Sequence, residues 1–524
     1  MSGQQAKESD RGLGKMVVGT MITSAAKRFR DREAIYCAGT GRRFTYRQCN
    51  ERCTRLANAL DGLGLKKPAV VAFICSNRAE IVEIYFAVAK LGLIGIPMNY
   101  RLAPSEVVEL TRAMGAQALL FESRFAGAAE QVRASLPGVK SFIAIGDGKP
   151  DWAMPFEDLL ANASAVEPEV DVEEHDPFYY NLTSGTTGLP KCYALTHYNN
   201  AAMAPMFAAL DATSKDVFMT VFPAFGRVGY GWIAAGMMFG ARNVLLDFNA
   251  ADVLRLIGQE RVTKMNLVAT MGAMLLAEPT LATADLSSLR GLVFVGSMFP
   301  APLRQRIAAR LCAGIYEYYG MQETGTLTMS TPTDRALRED SIGLPLPFVD
   351  LRIERPDGSS AEPGELGEIV ARSPTATTAY YDNPEKSAET FARGFVHTGD
   401  LGMIDEEGFL FIRGRLKDMI ITGGQNVHSA EIEETILTFP GVTDCAVFGL
   451  PDEMWGERVA ALVVFDAKRE PPTVEALQAF CRERLAGFKI PRTVLFETQA
   501  LPRTPTGKVQ KFLLVERYGR GETG

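Results

Sequence analysis

At 524 residues the chain is long for a single hydrophobic core and predicts at least two domains. Hydrophobic residues at 47% beside charged residues at 22% describe an ordinary globular protein, and a net charge of −7 argues against general nucleic-acid or anionic-membrane binding. Eight cysteines (37, 49, 53, 75, 192, 312, 445 and 481) lack zinc-ligand spacing, and only four histidines are present, so the cysteines read as reduced, mostly buried thiols. The polar start MSGQQAKESDRGLGK has no apolar secretory core, and the uncharged run 228–241 is too short to cross a bilayer. The end GETG is no peroxisomal address. A cytoplasmic protein without a membrane span is expected.

The first 180 residues alternate β-rich runs with helical patterns. VVAFICSN (70–77) is a continuous apolar run, as a buried parallel strand requires. AEIVEIYFAVAKLG (79–92) has helical spacing and closes on Gly92, and IGIPMN follows as the next strand. The pattern recurs around ALLFES and SFIAIGD, so a layered α/β domain with mainly parallel sheets is expected.

TSGTTGLPK, Thr183 to Lys191, is too rich in glycine for a helix or strand interior and predicts an exposed loop. Glycines free backbone N–H groups to face a ligand, Thr and Ser hydroxyls add donors, and Lys191 adds a full positive charge. That equipment suits a polyphosphate. The spacing is not that of a Walker A loop.

DVFMTVFPAFGRVGYGW (216–232) contains one charge after its first residue, Arg227. A buried Arg needs a partner, either within the protein at a pocket rim or on a polar or anionic part of a ligand. GLVFVGSMFP (291–300) reads as a strand ending in a glycine turn at Gly296 and Ser297. YEYYGMQETGT (316–326) places tyrosines beside a glycine and Glu323. FVHTGDLGMID (395–405) and GFLFIRGRLKDMIITGGQNVHSAEIE (408–433) follow. From about 418 onward helix and strand patterns alternate in a compact α+β unit of about 100 residues, ending in the Pro- and Gly-rich LPRTPTGKVQK (501–511).

TSGTTGLPK with its flanks FYYNL and LTHYN, followed in order by these later stretches, resembles the adenylate-forming superfamily. That superfamily holds acyl-CoA synthetases, firefly luciferases and peptide-synthetase adenylation domains, and the likeness runs from about residue 20 to 511. The resemblance implies an AMP-binding domain over 1–415 and a small mobile domain over 416–524, hinged at Lys417. It implies that Thr183, Ser184, Gly185, Thr186, Thr187 and Gly188 hold phosphates with Lys191. Gly296, Ser297, Glu317, Tyr318, Tyr319, Gly320 and Gln322 would line the adenine and phosphate site, with Tyr319 offering a ring face to adenine.

Asp400 would accept hydrogen bonds from both ribose hydroxyls, with Arg415 beside ribose or phosphate. Glu323, with Thr183, would ligate Mg²⁺, a hard cation that favours oxygen. Lys508 would be the catalytic lysine, and Gly423 and Gly424 would border the CoA tunnel. Phe225, Gly226, Tyr230 and Met321, near Trp232, Met298 and Thr326, would shape the acyl pocket.

The chain departs from the family pattern at several places. Gly226 stands where the family carries a His or aromatic residue, so either the pocket is enlarged or a neighbour such as Tyr230 or Trp232 fills the space. Gln322 stands where Thr or Ser is usual, Met298 where Pro is frequent, and Ser429 where Pro is common.

The implied activity is ATP-dependent ligation of a carboxylic acid to CoA through an acyl-adenylate, using ATP, Mg²⁺ and CoA. Bulky aromatics point to an aromatic or medium-chain acid, and a homodimer fits the family. The alternatives are delivery of the acyl group to a carrier protein or amine, or a degenerate nucleotide-binding module. A peptide-synthetase domain would place an acidic residue within 223–232, and none is there.

Overall fold

The structure is a computed structural model that describes residues 14–183, 191–296, 299–422, 425–452, 454–466, 472–503 and 509–519. The strand–helix–strand unit expected near the start is present. Val70–Ile74 pairs in parallel with Ile94–Pro97, and the helix Ala79–Leu91 connects them. Gly92 ends that helix at φ 62°, the left-handed conformation glycine adopts without strain.

All residues of this helix are buried, including three charged ones, so its charges need partners. Glu80 pairs with Arg78 at 2.8 Å, Glu83 with Arg52 at 2.6 Å and Lys90 with Glu167 at 2.6 Å.

A seven-stranded sheet runs in the order Met154–Pro155, Ser141–Ile145, Ala118–Glu122, Val70–Ile74, Ile94–Pro97, β1 (Pro177–Thr183) and β2 (Lys191–Thr196). All of its pairings are parallel except the β1–β2 hairpin. Against it lies a nine-stranded sheet, in the order Arg43–Thr45, Glu33–Cys37, Arg242–Leu245, Val217–Thr220, Lys264–Leu267, Gly291–Phe294, β3 (Ile315–Met321), β4 (Gly325–Ser330) and Leu344–Pro345. Helix α1 (Arg227–Phe239) packs in the core between the two sheets, where Tyr230, Ile233 and Met237 share one hydrophobic cluster with Phe73 of one and Ile35 and Leu245 of the other.

Gly229 lets α1 start tight against the preceding loop, because a Cβ there would lie 2.4 Å from Pro223 O.

A third, antiparallel sheet joins Asp350–Glu354, Gly367–Arg372, Phe391–Ala392, β5 (Phe395–Ile404) and β6 (Leu410–Arg415). A fourth draws all of its strands from Met419 onward and includes the long hairpin Val442–Asp452 with Gly456–Phe465. The whole is a mixed α/β protein of layered, largely parallel sheets with a smaller C-terminal α+β part. Its eight cysteines are buried and unpaired. Among the described residues no helix is long and apolar enough to cross a membrane.

Candidate active site

The Gly- and Thr-rich stretch joins two neighbouring strands. β1 and β2 are antiparallel and their facing ends are Thr183 and Lys191. Ser184, Gly185, Thr186, Thr187 and Gly188 between them lie outside the described residues, as do Ser297, Met298, Gly423, Gly424 and Lys508. Two residues before the loop, Asn181 of β1 sits opposite Tyr193 of β2, and both are buried. Asn181 Nδ2 donates to Tyr193 Oη and to Gln322 Oε1, the latter at 3.0 Å. Tyr193 Oη in turn donates to the backbone carbonyl of Gln322. The loop hairpin is thereby fastened to the turn between β3 and β4.

That turn, Gln322 to Thr324, is held from outside at every carbonyl. Gln322 O accepts from Tyr193 and from Arg227 Nη1, Glu323 O accepts from Thr377 N at 2.8 Å, and Thr324 O accepts from Thr375 Oγ1 at 2.6 Å. The hairpin closes tightly at its base, where a Cβ on Gly320 would lie 2.0 Å from Gly325 O.

Glu323 is 7% exposed and its Oε1 accepts from Tyr380 Oη at 2.8 Å. Burial and the adjacent carboxylate hold the Tyr380 phenol well above its ordinary value, so it remains the donor. Among the described residues no cation pairs with Glu323, and no group of three or more His, Cys, Asp or Glu side chains could hold a metal ion. A lone buried carboxylate of this kind fits Mg²⁺ that arrives on substrate phosphates rather than in an all-protein cage.

Residues from three separate stretches meet at Asp400. Pairing of β5 with β6 sets Asp400 opposite Arg415, and Arg415 Nε reaches Asp400 Oδ1 at 2.9 Å. From the other side Tyr319 Oη donates to Asp400 Oδ2 at 2.8 Å. Burial, then the Asp400 charge, pushes the Tyr319 phenol far up. Strand alternation sends Tyr318 to the opposite face, where it packs with Phe218 and Trp232. Glu317 binds Arg335 Nη2 at 2.9 Å, and burial nonetheless raises its carboxyl.

On the α1 side, Phe225 and Gly226 are half-buried, and Phe225 meets Tyr100 edge-on at 5.3 Å. Met321 is also half-buried, and its N–H donates to Thr324 Oγ1 at 2.9 Å. Tyr230 is enclosed by Tyr85, Phe178 and Tyr179, with the Tyr85 ring 4.3 Å away, and Trp232 stacks on Phe218 at 4.8 Å. Both rings belong to the core.

The AMP-binding enzyme family matches residues 22–381, and the AMP-binding enzyme C-terminal domain matches residues 431–508. The chain is 33% identical over 507 residues to the long-chain-fatty-acid–CoA ligase FadD13 of Mycobacterium tuberculosis, covering 96% of this chain and 98% of that one. It is 34% identical over 487 residues to a feruloyl-CoA synthase of an Amycolatopsis species, covering 91% and 95%. Among solved structures it resembles the anthranilate CoA ligase AuaEII bound to anthranoyl-AMP, with a TM-score of 0.88 at 28% identity, covering 95% and 96%.

The chain belongs to the AMP-binding enzymes, in the acid–CoA ligase family. In this AMP-binding enzyme the structure brings together Tyr319, Asp400 and Arg415, and separately Gln322 and Glu323 with the loop hairpin. Gly296, two residues past the strand Gly291–Phe294 of the nine-stranded sheet, turns the chain at φ 85°. Lys417 is exposed in a short turn (Leu416–Asp418) directly after β6. Sequence reasoning missed Asn181, Tyr193, Thr375, Thr377 and Tyr380. The sole available signal was the hydroxyl-rich run SPTATTAYY (373–381), between the strand Gly367–Arg372 and the helix Pro384–Thr390, which laces β2 to the turn through Thr377 Oγ1 on Ala194 O at 2.9 Å.

Proposed function

We propose that this AMP-binding enzyme activates a carboxylic acid with ATP and passes the acyl group to CoA. The observation that carries the reading is the convergence of Tyr319 and Arg415 on Asp400, in the same fold that pins Glu323 beside the loop hairpin. Asp400, oriented by two donors, keeps lone pairs for ribose hydroxyls. A carboxylate anion must approach the α-phosphate of a polyanion, so preorganised positive charge and N–H donors lower the barrier. Lys191 and the glycine-rich loop hold the departing pyrophosphate, and Glu323 with Thr183 would hold Mg²⁺, which would supply positive charge against it.

In the first step an acid oxygen bonds to the α-phosphorus, the bond to the β-phosphate oxygen breaks, and pyrophosphate leaves. Lys508 bridges the acid and the α-phosphate. In the second step the CoA sulfur bonds to the acyl carbon, AMP leaves with the bonding electrons, and the thiol proton is released. Rotation about Lys417 exchanges Lys508 for the Gly423–Gly424 side between the steps. The half-buried Phe225 and Met321 favour an aromatic or medium-chain acid.

The test is ATP–pyrophosphate exchange across a graded acid panel, in wild type and Lys508→Ala. The variant should lose exchange by several kcal/mol of transition-state stabilisation, roughly a hundredfold or more, yet still form thioester from synthetic acyl-adenylate. Normal exchange in the variant would remove Lys508 from its role, and exchange with no acid in wild type would refute the activity.

A further inference from the structure

Arg227 opens α1 and is only 5% exposed, yet among the described residues no carboxylate pairs with it. The loop residues 184–190 contain no acidic residue either. A buried guanidinium at a helix N-terminus sits in the positive end of the helix dipole, so it needs acceptors elsewhere. It finds them in two backbone carbonyls on different segments: Nη1 donates to Gln322 O and Nη2 to Thr375 O, while Nε has no partner among the described residues.

Gln322 opens the turn that carries Glu323, and Thr375 holds the carbonyl at its far end through Oγ1 on Thr324 O. One planar fork therefore spans both clasps of the turn. A lysine, with one nitrogen, spans only one of them.

We propose that Arg227 is a positioning residue that fixes the Gln322–Thr324 turn, and with it the Glu323 carboxylate, for the metal–nucleotide complex. The proposal rests on the ligase reading and is tested apart from turnover. Calorimetry measures binding of Mg·ATP, and of ATP in EDTA, to wild type, Arg227→Met, Arg227→Lys and Tyr193→Phe. Exchange kinetics with three acids of differing polarity accompany it.

Arg227→Met should weaken Mg·ATP binding about tenfold or more, the usual cost of losing a group that orients a metal ligand. Metal-free ATP should change less than about twofold, because the Asp400 grip is untouched. Arg227→Lys should fall between. Tyr193→Phe, which takes a donor from the same Gln322 carbonyl and leaves the charge, should shift Mg·ATP binding the same way by a smaller factor. It also carries the test if Arg227→Met fails to fold.

The exchange defect should be the same for every acid. A loss confined to acids with a second polar group would make Arg227 a substrate contact and overturn the proposal. So would unchanged Mg·ATP affinity in Arg227→Met or Tyr193→Phe, or an equal loss for metal-free ATP. A wild type that binds no Mg·ATP would overturn the ligase reading as well, which separates the two failures.

Discussion

Replacing Asp400 by Asn probes the proposed ribose contact directly. The carboxylate accepts from Tyr319 Oη at 2.8 Å and Arg415 Nε at 2.9 Å, and it is 5% exposed. An amide has one oxygen and one NH₂, so one of the two donors must face another donor. Tyr319 is buried while the Arg415 side chain is 34% exposed. The oxygen therefore stays with Tyr319, and Arg415 turns to water at little cost. The nucleotide site keeps its shape but loses its charged acceptor.

Each hydrogen bond to a charged group contributes about 1.5–3 kcal/mol, so losing that charge should weaken ATP binding roughly ten- to a hundredfold. Calorimetry with ATP and 2′,3′-dideoxy-ATP isolates the contact. Wild type should discriminate against the dideoxy analogue by about tenfold or more, and Asp400→Asn by less than about threefold. If the variant discriminates as strongly as wild type, the hydroxyls are bound elsewhere and the reasoning fails.

Gly226→His should cut turnover of large acids by about 1–3 kcal/mol, and less as the acid shrinks. A Cβ there meets only Pro223 O at 3.5 Å and φ is −89°, so the backbone takes a side chain without strain and a size-independent loss would refute the pocket role. His197 is wholly buried, its Nδ1 accepts from Val18 N at 3.2 Å, and burial pushes the imidazole down to about 4. The unfolded chain, titrating near 6.5, takes up a proton that the folded chain refuses. Stability is therefore full above about pH 6.5 and falls as pH drops toward 4, by about 2 kcal/mol at pH 5. His197→Asn should flatten the fall of the thermal midpoint between pH 7 and 5, and an unchanged slope would disprove this assignment.

The break in secondary structure at 183–191 is legible from its glycines, but the antiparallel pairing of the strands on either side is not, because register is decided between segments. The family likeness proposes Tyr319, Asp400 and Arg415 for one site but says nothing of their mutual contact, which strand pairing decides. The sequence places Tyr230 and Trp232 at the pocket, because an aromatic in the apolar run 228–239 looks the same facing a ligand or a core. Asn181 and Tyr193 carry no signal at all: a single polar residue in a buried strand shows its purpose only once its cross-strand partner is known. Glu317 was read toward adenine, while its Arg335 partner lies 18 residues on, across a turn whose path the sequence does not display.

The bonds that shape this site are long-range in the chain. Asn181 reaches 141 residues to Gln322, Arg227 reaches 148 to Thr375, and Tyr319 reaches 81 to Asp400. During synthesis the seven-stranded sheet is complete once residue 196 has emerged, but Asn181 and Tyr193 must wait for Gln322, and the Asp400 cluster for Arg415. At about 5–20 residues per second, the 126 residues from Thr196 to Gln322 (322 − 196) keep the Asn181–Tyr193 pair waiting for roughly six to twenty-five seconds. For that interval two polar groups destined for burial lie open on a nascent sheet, and the proposed ATP site is not yet complete. On the function proposed here, nucleotide binding secures the finished protein and cannot assist the earlier stages of its assembly.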